Sequence, residues 1–170
     1  LDSDITGPSI PKLLGVHEAP TMSPLGIMPP QTSTGIKIMS INLMLEDEEQ
    51  AVIWRGPMIA NASNQFWNDV FWGDLDALVV DMPPGTSDAA LTVMQNLPVT
   101  GIVLVTSPQD LAGMVVRKAA HMAEHLTTPL VGVVENMSYA ICPHCGERYD
   151  IFGQGDTAAM AEAFNTQFLG

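Results

Sequence analysis

Long apolar runs alternate with helical stripes in the second half of the chain. Three runs rich in Val, Ile and Leu occupy residues 75–81, 101–106 and 130–134. Uninterrupted apolar runs of this length are typical of strands that are buried on both faces of a parallel sheet. The helices predicted to follow these runs span about 87 to 95, 110 onward and about 157 to 165. This alternation predicts an α/β fold with a doubly wound, mostly parallel sheet and flanking helices.

The pattern of the first half is weaker. It predicts a short helix that Gly15 ends, and a surface excursion over the Pro-, Ser- and Thr-rich residues 17–34. Alternation over 35–42 predicts a strand that pairs with 51–54. A helix is predicted from about 57 to 70, with Pro57 at its first position.

The clearest helical periodicity follows Asp110. His121 and His125 fall mainly outside the apolar stripe, so we expect both at the surface rather than in a catalytic site. The stripe that we expect to face the sheet consists of Leu111, Val115, Ala119, Met122 and Leu126.

Composition narrows the class of protein. A chain of 170 residues with 46% hydrophobic residues predicts one globular domain over 1–170 with a substantial core. The net charge of −13 argues against binding to nucleic acid or to an anionic membrane surface. It does not exclude a nucleotide, because backbone N–H groups and Mg²⁺ hold phosphates locally. Without a membrane-length run, a signal peptide or a disulfide framework, the sequence predicts a cytoplasmic protein.

An acidic residue ends the first apolar run. Asp81 is followed, after Met82, by Pro83, Pro84 and Gly85, which stop a strand and open a loop. Open α/β sheets bind ligands at the carboxyl ends of their strands, so Asp81 is a candidate for holding Mg²⁺. The alternative is that this aspartate caps the next helix.

Both cysteines of the chain lie in a C-x₂-C spacing. Cys142 and Cys145 enclose a turn, and Gly146 lets backbone N–H groups approach the sulfur atoms. Two thiolates are half of a tetrahedral zinc site or of the four-cysteine set of an iron–sulfur cluster, and a second copy of the chain would complete either. A thioredoxin-like redox pair and a zinc site completed by histidine, for example His144, are the alternatives. The hairpin or loop predicted over 146–150 favours a shared metal, because redox pairs normally begin a helix.

Together these segments resemble the Mrp-type (ApbC/Nbp) iron–sulfur carriers, a MinD-related branch of the deviant P-loop ATPases. The resemblance implies a partial nucleotide-binding domain of P-loop type, and it runs over nearly the whole chain. The matching segments are 2–11, 54–58, 72–76, 79–86, 106–110, 135–139, 142–148 and 151–153.

The resemblance implies roles at the nucleotide site. Asp4 matches the switch I-like acid that positions the attacking water and helps to hold Mg²⁺, and Asp2 is its companion at the strand end. Asp81 matches the Walker B acid, which orders Mg²⁺ through water. Gly85 and Thr86 match the switch II segment that senses the γ-phosphate.

The resemblance also implies how the rest of the protein works. Asn136 matches an asparagine that reads the edge of adenine. Cys142 and Cys145 match the ligands of a [4Fe–4S] cluster that is bridged between the subunits of a homodimer. ATP binding and hydrolysis would control transfer of the cluster to apo iron–sulfur proteins. Arg55 receives no role.

One departure leaves the ATPase activity open. The family's glycine-rich loop, ending in Gly-Lys-Ser/Thr, is absent from the 170 residues. Both ends also look truncated, since the chain opens on Leu1 and closes on what reads as the start of a strand. We therefore expect that the loop was omitted, the alternatives being an ATPase-dead paralogue and a non-catalytic, zinc-stapled dimeric scaffold. A MinD-like regulator at membranes is disfavoured because the chain has no basic amphipathic tail.

Overall fold

In a computed structural model of the chain, residues 1–45 and 56–170 are described. They form two compact units, residues 1–97 and 98–170, and each is described by itself. The single domain expected over 1–170 stays a prediction. The strand expected at 51–54 lies outside the described residues, as do Trp54 and Arg55.

The first unit contains short elements around two longer helices. They are α1 (Ile10–Leu14), β1 (Thr21–Ser23), β2 (Gly26–Met28), a 3₁₀ helix (Ile41–Met44), α2 (Gly56–Asn68) and α3 (Asp88–Asn96). Helix α1 ends as predicted at Gly15, which adopts the left-handed conformation with φ of 65°. Helix α3 begins as predicted after Ser87, whose Oγ accepts a hydrogen bond from the N–H of Ala90 at 3.3 Å. A small core joins Val16, Ile38, Leu43 and Ile10.

Two predicted strands of the first unit are wrong. Residues 75–81 form a single parallel bridge, between Asp81 and Asp2, and Val79 is 79% exposed. An apolar run indicates that a buried strand is possible. It does not show whether neighbouring strands and helices are present to pair with it and cover it. Residues 35–42 form a bridge between Lys37 and Gln31 and then enter the 3₁₀ helix. Their alternation fails because the Oγ of Ser40 accepts the N–H of Asn42 and starts that helix.

The second unit confirms the α/β class. Its elements in chain order are β3 (Ile102–Thr106), α4 (Asp110–His125), β4 (Leu130–Glu135), β5 (Ala140–Ile141), β6 (Arg148–Tyr149), α5 (Thr157–Ala163) and β7 (Gln167–Phe168). Strands β3, β4 and β7 form a parallel sheet in that order, joined by the two helices. One core unites the sheet with both helices, and its buried residues are Leu104, Ala120, Val133, Met160 and Ala161. Strands β5 and β6 form a separate antiparallel hairpin.

The buried face of α4 differs in part from the prediction, although Ala119 packs against the core as expected. Leu111 is 74% exposed and Val115 39% exposed. The buried residues of this helix are small instead, namely Gly113, Ala120 and Ala123. Small residues let a helix approach a sheet closely. A search for a stripe of large apolar residues therefore does not identify a buried face that is made of small ones. His121 and His125 are exposed, which confirms their predicted position.

Strand β3 is covered on one face. Val103 and Val105 are 48% and 58% exposed, whereas Leu104 and Thr106 are buried. Burial of this strand on both faces is therefore wrong. The reason is that α4 and α5 share one core with the sheet and pack on the same side of it. Among the described residues, no helix has the length and apolar character that crossing a membrane requires.

Gly26 sits at a tight backbone crossing. Strands β1 and β2 pair antiparallel, and Ile27 then exchanges backbone hydrogen bonds with Asp69 and Phe71, at 2.9 and 2.8 Å. Gly26 has φ of 121°, and a Cβ there would lie 2.5 Å from the carbonyl oxygen of Asp69. Any side chain at this position would have to displace backbone.

We expect Gly26→Ala to destabilise the protein more than Gly35→Ala. Gly35 also has positive φ, at 88°, but a Cβ there meets nothing within 4 Å. The control should cost about 1–2 kcal/mol for its backbone conformation alone, and Gly26→Ala at least about 3 kcal/mol. Denaturant unfolding of the full-length protein, followed by circular dichroism, measures both. Equal losses would show that the contact with Asp69 contributes nothing.

Candidate functional site

The first candidate site lies where residues 1–3 run beside 79–81. The N–H of Asp81 donates to the carbonyl of Leu1, and the N–H of Ser3 donates to the carbonyl of Asp81, both at 2.8 Å. The hydroxyl groups of Ser3 and Ser63 lie 2.9 Å apart and tie this pairing to α2. The sequence-predicted acids Asp2 and Asp81 therefore stand directly opposite each other.

Asp2 is a buried structural acceptor. Its Oδ2 accepts the N–H groups of Ser9 and Ile10 and the hydroxyl of Ser40, at 3.1, 3.3 and 3.0 Å. Its Oδ1 accepts the N–H of Asp4 at 3.2 Å. Burial raises the pKa of the Asp2 carboxyl, and the hydrogen bonds from Ser40 and Ile10 oppose that shift. Asp2 thus holds the start of α1 and the turn at Asp4 in place.

Asp4 is presented by a tight turn. Its Oδ1 accepts the hydroxyl of Thr6 at 2.8 Å and the N–H of Gly7 at 3.1 Å. These bonds fix the direction of the carboxylate, which is only partly buried. Asp4 can therefore face a ligand while its turn stays rigid.

Asp81 is close enough to Asp4 to sense its charge. Burial raises the pKa of Asp81 most, and the negative charge of Asp4 raises it further. A bound cation would relieve that repulsion, and carboxylate oxygens are the ligands that Mg²⁺ prefers. The donor set thus fits a Mg²⁺ ion.

The carboxylates of this unit do not form a complete cage. Among residues 1–45 and 56–170, no group of three or more His, Cys, Asp or Glu side chains could hold a metal ion. Mg²⁺ commonly keeps several waters and uses one or two carboxylates together with substrate phosphates. Two carboxylates are compatible with a Mg²⁺ ion that takes its other ligands from water and from substrate phosphates.

The loop after Asp81 excludes one alternative. Helix α3 is capped by Ser87 and not by Asp81. Gly85 adopts φ of 78°, a conformation that favours glycine, and Thr86 next to it is exposed. The predicted switch segment is thus a glycine-dependent turn between the acid and the helix.

Asn136 lies at the carboxyl end of β4. Its N–H donates to the carbonyl of Thr106, the last residue of β3, at 2.8 Å. Its Oδ1 accepts the N–H of Met137 at 2.9 Å, and Met137 has φ of 60°. The exposed amide is therefore held in a strand-end turn at the edge where parallel sheets bind ligands.

The cysteines form a knuckle at the tip of the β5–β6 hairpin. The N–H of Cys142 donates to the carbonyl of Glu147, and the N–H of Gly146 donates to the carbonyl of Cys142, both at 2.9 Å. Gly146 has φ of 75°. Both cysteines are free, Cys142 partly buried and Cys145 exposed. The predicted hairpin is confirmed.

Hydrogen bonds favour a thiolate at Cys142. The backbone N–H of Cys145, and then that of His144, lower the pKa of the Cys142 thiol, and the Cys145 side chain adds to the effect. The thiolate is the form that binds metals. Within the described part of the chain, His144 does not assemble with the cysteines into a group of three ligands. The described structure therefore gives no support to a zinc site completed by His144 within one chain.

Two features of these sites escaped the sequence analysis. Ser40 donates to Asp2, yet the alternation around it indicated an ordinary strand position. Arg148 stacks on the ring of Tyr139, with Cζ 3.9 Å from the ring centroid. The placement of Arg148 near the C-x₂-C spacing was the signal that could have drawn attention to it.

The chain is similar to known proteins over its whole length. The family model of ParA, described as NUBPL iron-transfer P-loop NTPase, matches residues 1–170. A protein of Methanocaldococcus jannaschii named iron-sulfur cluster carrier protein is 46% identical over 172 residues, which cover all of this chain and 59% of that relative. A protein of the same name from Escherichia coli strain K12 is 47% identical over 171 residues, which cover all of this chain and 46% of that relative. The chain thus spans about half the length of these relatives.

A solved structure has the same fold. It is a nucleotide-binding protein from Archaeoglobus fulgidus in complex with ADP and with cobalt present. The TM-score is 0.83 and the sequence identity 43%, over 98% of this chain and 65% of that one.

We expect Asp2→Ala to be far more costly than Ser40→Ala. Truncating Asp2 leaves the N–H groups of Asp4, Ser9 and Ile10 without their acceptor, so the loss should be at least about 3 kcal/mol. Ser40→Ala removes one donor to Asp2 and the acceptor of the Asn42 N–H, and should cost about 1–2 kcal/mol. Denaturant unfolding of the full-length variants gives both values. A loss for Asp2→Ala no larger than that for Ser40→Ala would contradict the assigned role.

Proposed function

The chain belongs to the NUBPL iron-transfer P-loop NTPase family, and from that premise we propose that the full-length protein carries an iron–sulfur cluster to apo iron–sulfur proteins. The observation that carries the proposal is the cysteine pair at the tip of a hairpin, Cys145 exposed and Cys142 partly so, with hydrogen bonds that favour the thiolate of Cys142. Relatives named iron-sulfur cluster carrier protein support it.

The cargo is a [4Fe–4S] cluster bound between two copies of the chain. Cys142 and Cys145 supply two thiolates, whereas such a cluster takes four. A homodimer with its two-fold axis through the cluster brings the pairs together. The hairpin setting supports metal over a redox pair, because a redox pair gains its reactivity from a helix N-terminus.

Exposure of the cysteines suits delivery. Thiolates of an acceptor can reach the cluster and replace the Cys142 and Cys145 sulfurs one by one, and each displaced sulfur leaves as a thiolate. The exchange needs no net oxidation or reduction. Free thiols at the surface also suit a reducing compartment such as the cytoplasm.

ATP binding and hydrolysis control loading or release. Asp4 and Asp81 are the residues that would hold Mg²⁺, and the ion supplies charge neutralisation for the phosphates when bound. Asp4 orients the attacking water, and Asp2 keeps the Asp4 turn rigid. The turn at Gly85 and Thr86 senses the terminal phosphate.

Asn136 reads the base. Its amide carries the donor and acceptor that an adenine edge requires, and its turn at the end of β4 holds the amide at the ligand-binding edge. The 170 residues contain no glycine-rich Gly-Lys-Ser/Thr loop. Hydrolysis is therefore proposed for the full-length protein and tested on it.

Anaerobic reconstitution with iron and sulfide tests the cargo site. Full-length protein should gain the visible absorption of a cluster and sediment as a dimer, and the double variant Cys142→Ser, Cys145→Ser should gain neither. His144→Ala, between the two cysteines, is the matched control and should behave as the parent. Cluster absorption that persists in the double variant would sink the proposal, as would stoichiometric zinc with no labile iron.

Steady-state phosphate release tests the nucleotide site. Asp4→Asn and Asp81→Asn should each lower kcat about a hundredfold or more, because each removes a charge that acts on water or Mg²⁺. Asp76→Asn, an exposed aspartate of the same unit, should keep full activity. Unchanged hydrolysis in both site variants would remove these residues from the mechanism without touching the cysteine site.

A further inference from the structure

The hairpin that carries the cysteines has little support from burial. It consists of two residue pairs, Ala140 with Tyr149 and Ile141 with Arg148. Ile141 is 62% exposed and Tyr149 50% exposed. A hairpin this short is marginally stable at best by itself. The geometry of the knuckle therefore depends on contacts within the hairpin.

A side-chain stack closes the hairpin below the knuckle. The guanidinium of Arg148 covers the ring of Tyr139 at 3.9 Å from the centroid. Tyr139 stands three residues before Cys142, and Arg148 three residues after Cys145. The stack thus joins the two chain segments at equal distance from the cysteines.

Two neighbours restrict the Arg148 side chain of this stack, one on strand β5 and one just after strand β6. Arg148 pairs directly with Ile141, so both side chains lie on the same face of the hairpin. The Nε of Arg148 also lies 4.0 Å from Oδ1 of Asp150. These contacts restrict a long side chain that is still 64% exposed.

We propose that Tyr139 and Arg148 are positioning residues that hold the Cys142–Cys145 knuckle ready for its metal cargo. The inference rests on the metal-carrying function proposed above. The stack keeps β5 and β6 in register, and with them the hydrogen bonds from Cys142 to Glu147 and from Gly146 to Cys142. Without the stack, part of the binding energy of the metal is consumed in ordering the turn.

Charge attraction alone is a second way in which Arg148 could favour metal binding at the cysteines, and it predicts a different result for the variants. Arg148 could favour an anionic site through its charge alone, and the ring of Tyr139 would then be irrelevant. The stack of Tyr139 and Arg148, here called the clasp, needs both side chains. A counter-charge needs only Arg148. Removing the ring while keeping the charge separates the two explanations.

Titration of the full-length, reduced protein with Co²⁺ alone provides the test, read by the sulfur-to-metal absorption band under anaerobic conditions. Tyr139→Leu and Arg148→Gln should each weaken Co²⁺ binding about two- to fivefold, the range expected of an exposed cation–π contact. The double variant should be no weaker than either single one, because both remove the same contact. Tyr139→Phe keeps the ring and should bind as the parent does.

Arg117→Gln is the matched control. Arg117 is also partly exposed, at 39%, and pairs with an aspartate of the same unit, Asp156, at 3.3 Å. This variant should bind Co²⁺ like the parent. Thermal unfolding of the Tyr139 and Arg148 variants should match the parent, since the hairpin contributes no residue to the core of the sheet.

Three results would overturn the inference. Parental Co²⁺ binding in both single variants would exclude the clasp, and so would additive losses in the double variant. A loss with Arg148→Gln but not with Tyr139→Leu would leave a counter-charge only. The cysteine double variant tells the two proposals apart: if it binds Co²⁺ as tightly as the parent, the cargo site itself fails and the clasp with it.

Discussion

The backbone pairing of residues 1–3 with 79–81 is the constraint on which the first unit depends. It sets Asp2 opposite Asp81, although 79 positions separate them in the sequence. The Asp2 carboxylate then fixes the start of α1, the turn at Asp4 and the hydroxyl of Ser40. One buried acceptor therefore organises the two paired segments and the turn that presents Asp4, one of the two proposed Mg²⁺ ligands. The cost of burying Asp2 is offset by the hydrogen bonds that it accepts.

In the second unit, the cysteine hairpin lies outside the hydrophobic core. Its sheet and helices share one core of mainly aliphatic side chains, and this core leaves the hairpin of the cysteines outside. The knuckle is shaped by backbone hydrogen bonds and a glycine with positive φ, which need no core beneath them. A site of this kind can be reached by another protein without disturbing the sheet, as a delivery function requires.

The sequence predicted features that are encoded locally. The caps at Gly15 and Ser87, the strands β3 and β4 and the cysteine hairpin all follow from short-range patterns. The errors arose where distant neighbours decide. Residues 75–81 are apolar enough for a buried strand, but their sequence does not show whether other segments cover them, and Val79 is in fact exposed. The face of α4 was partly misjudged because small residues, Ala120 and Ala123, are its most buried positions. Ser40 escaped notice because its role exists only once Asp2 lies beside it.

The position of the hairpin outside the core has a consequence for its motions. Amide hydrogens at Cys142 and Gly146 are protected by bonds within the hairpin alone, so they can exchange with solvent through a brief local opening while the sheet stays intact. If the proposed metal cargo binds Cys142 and Cys145, deuterium uptake at these amides should be slower with metal than without it. Deuterium uptake by the amides of β3 and β4 should not change in the same way, since their exchange requires opening of the sheet.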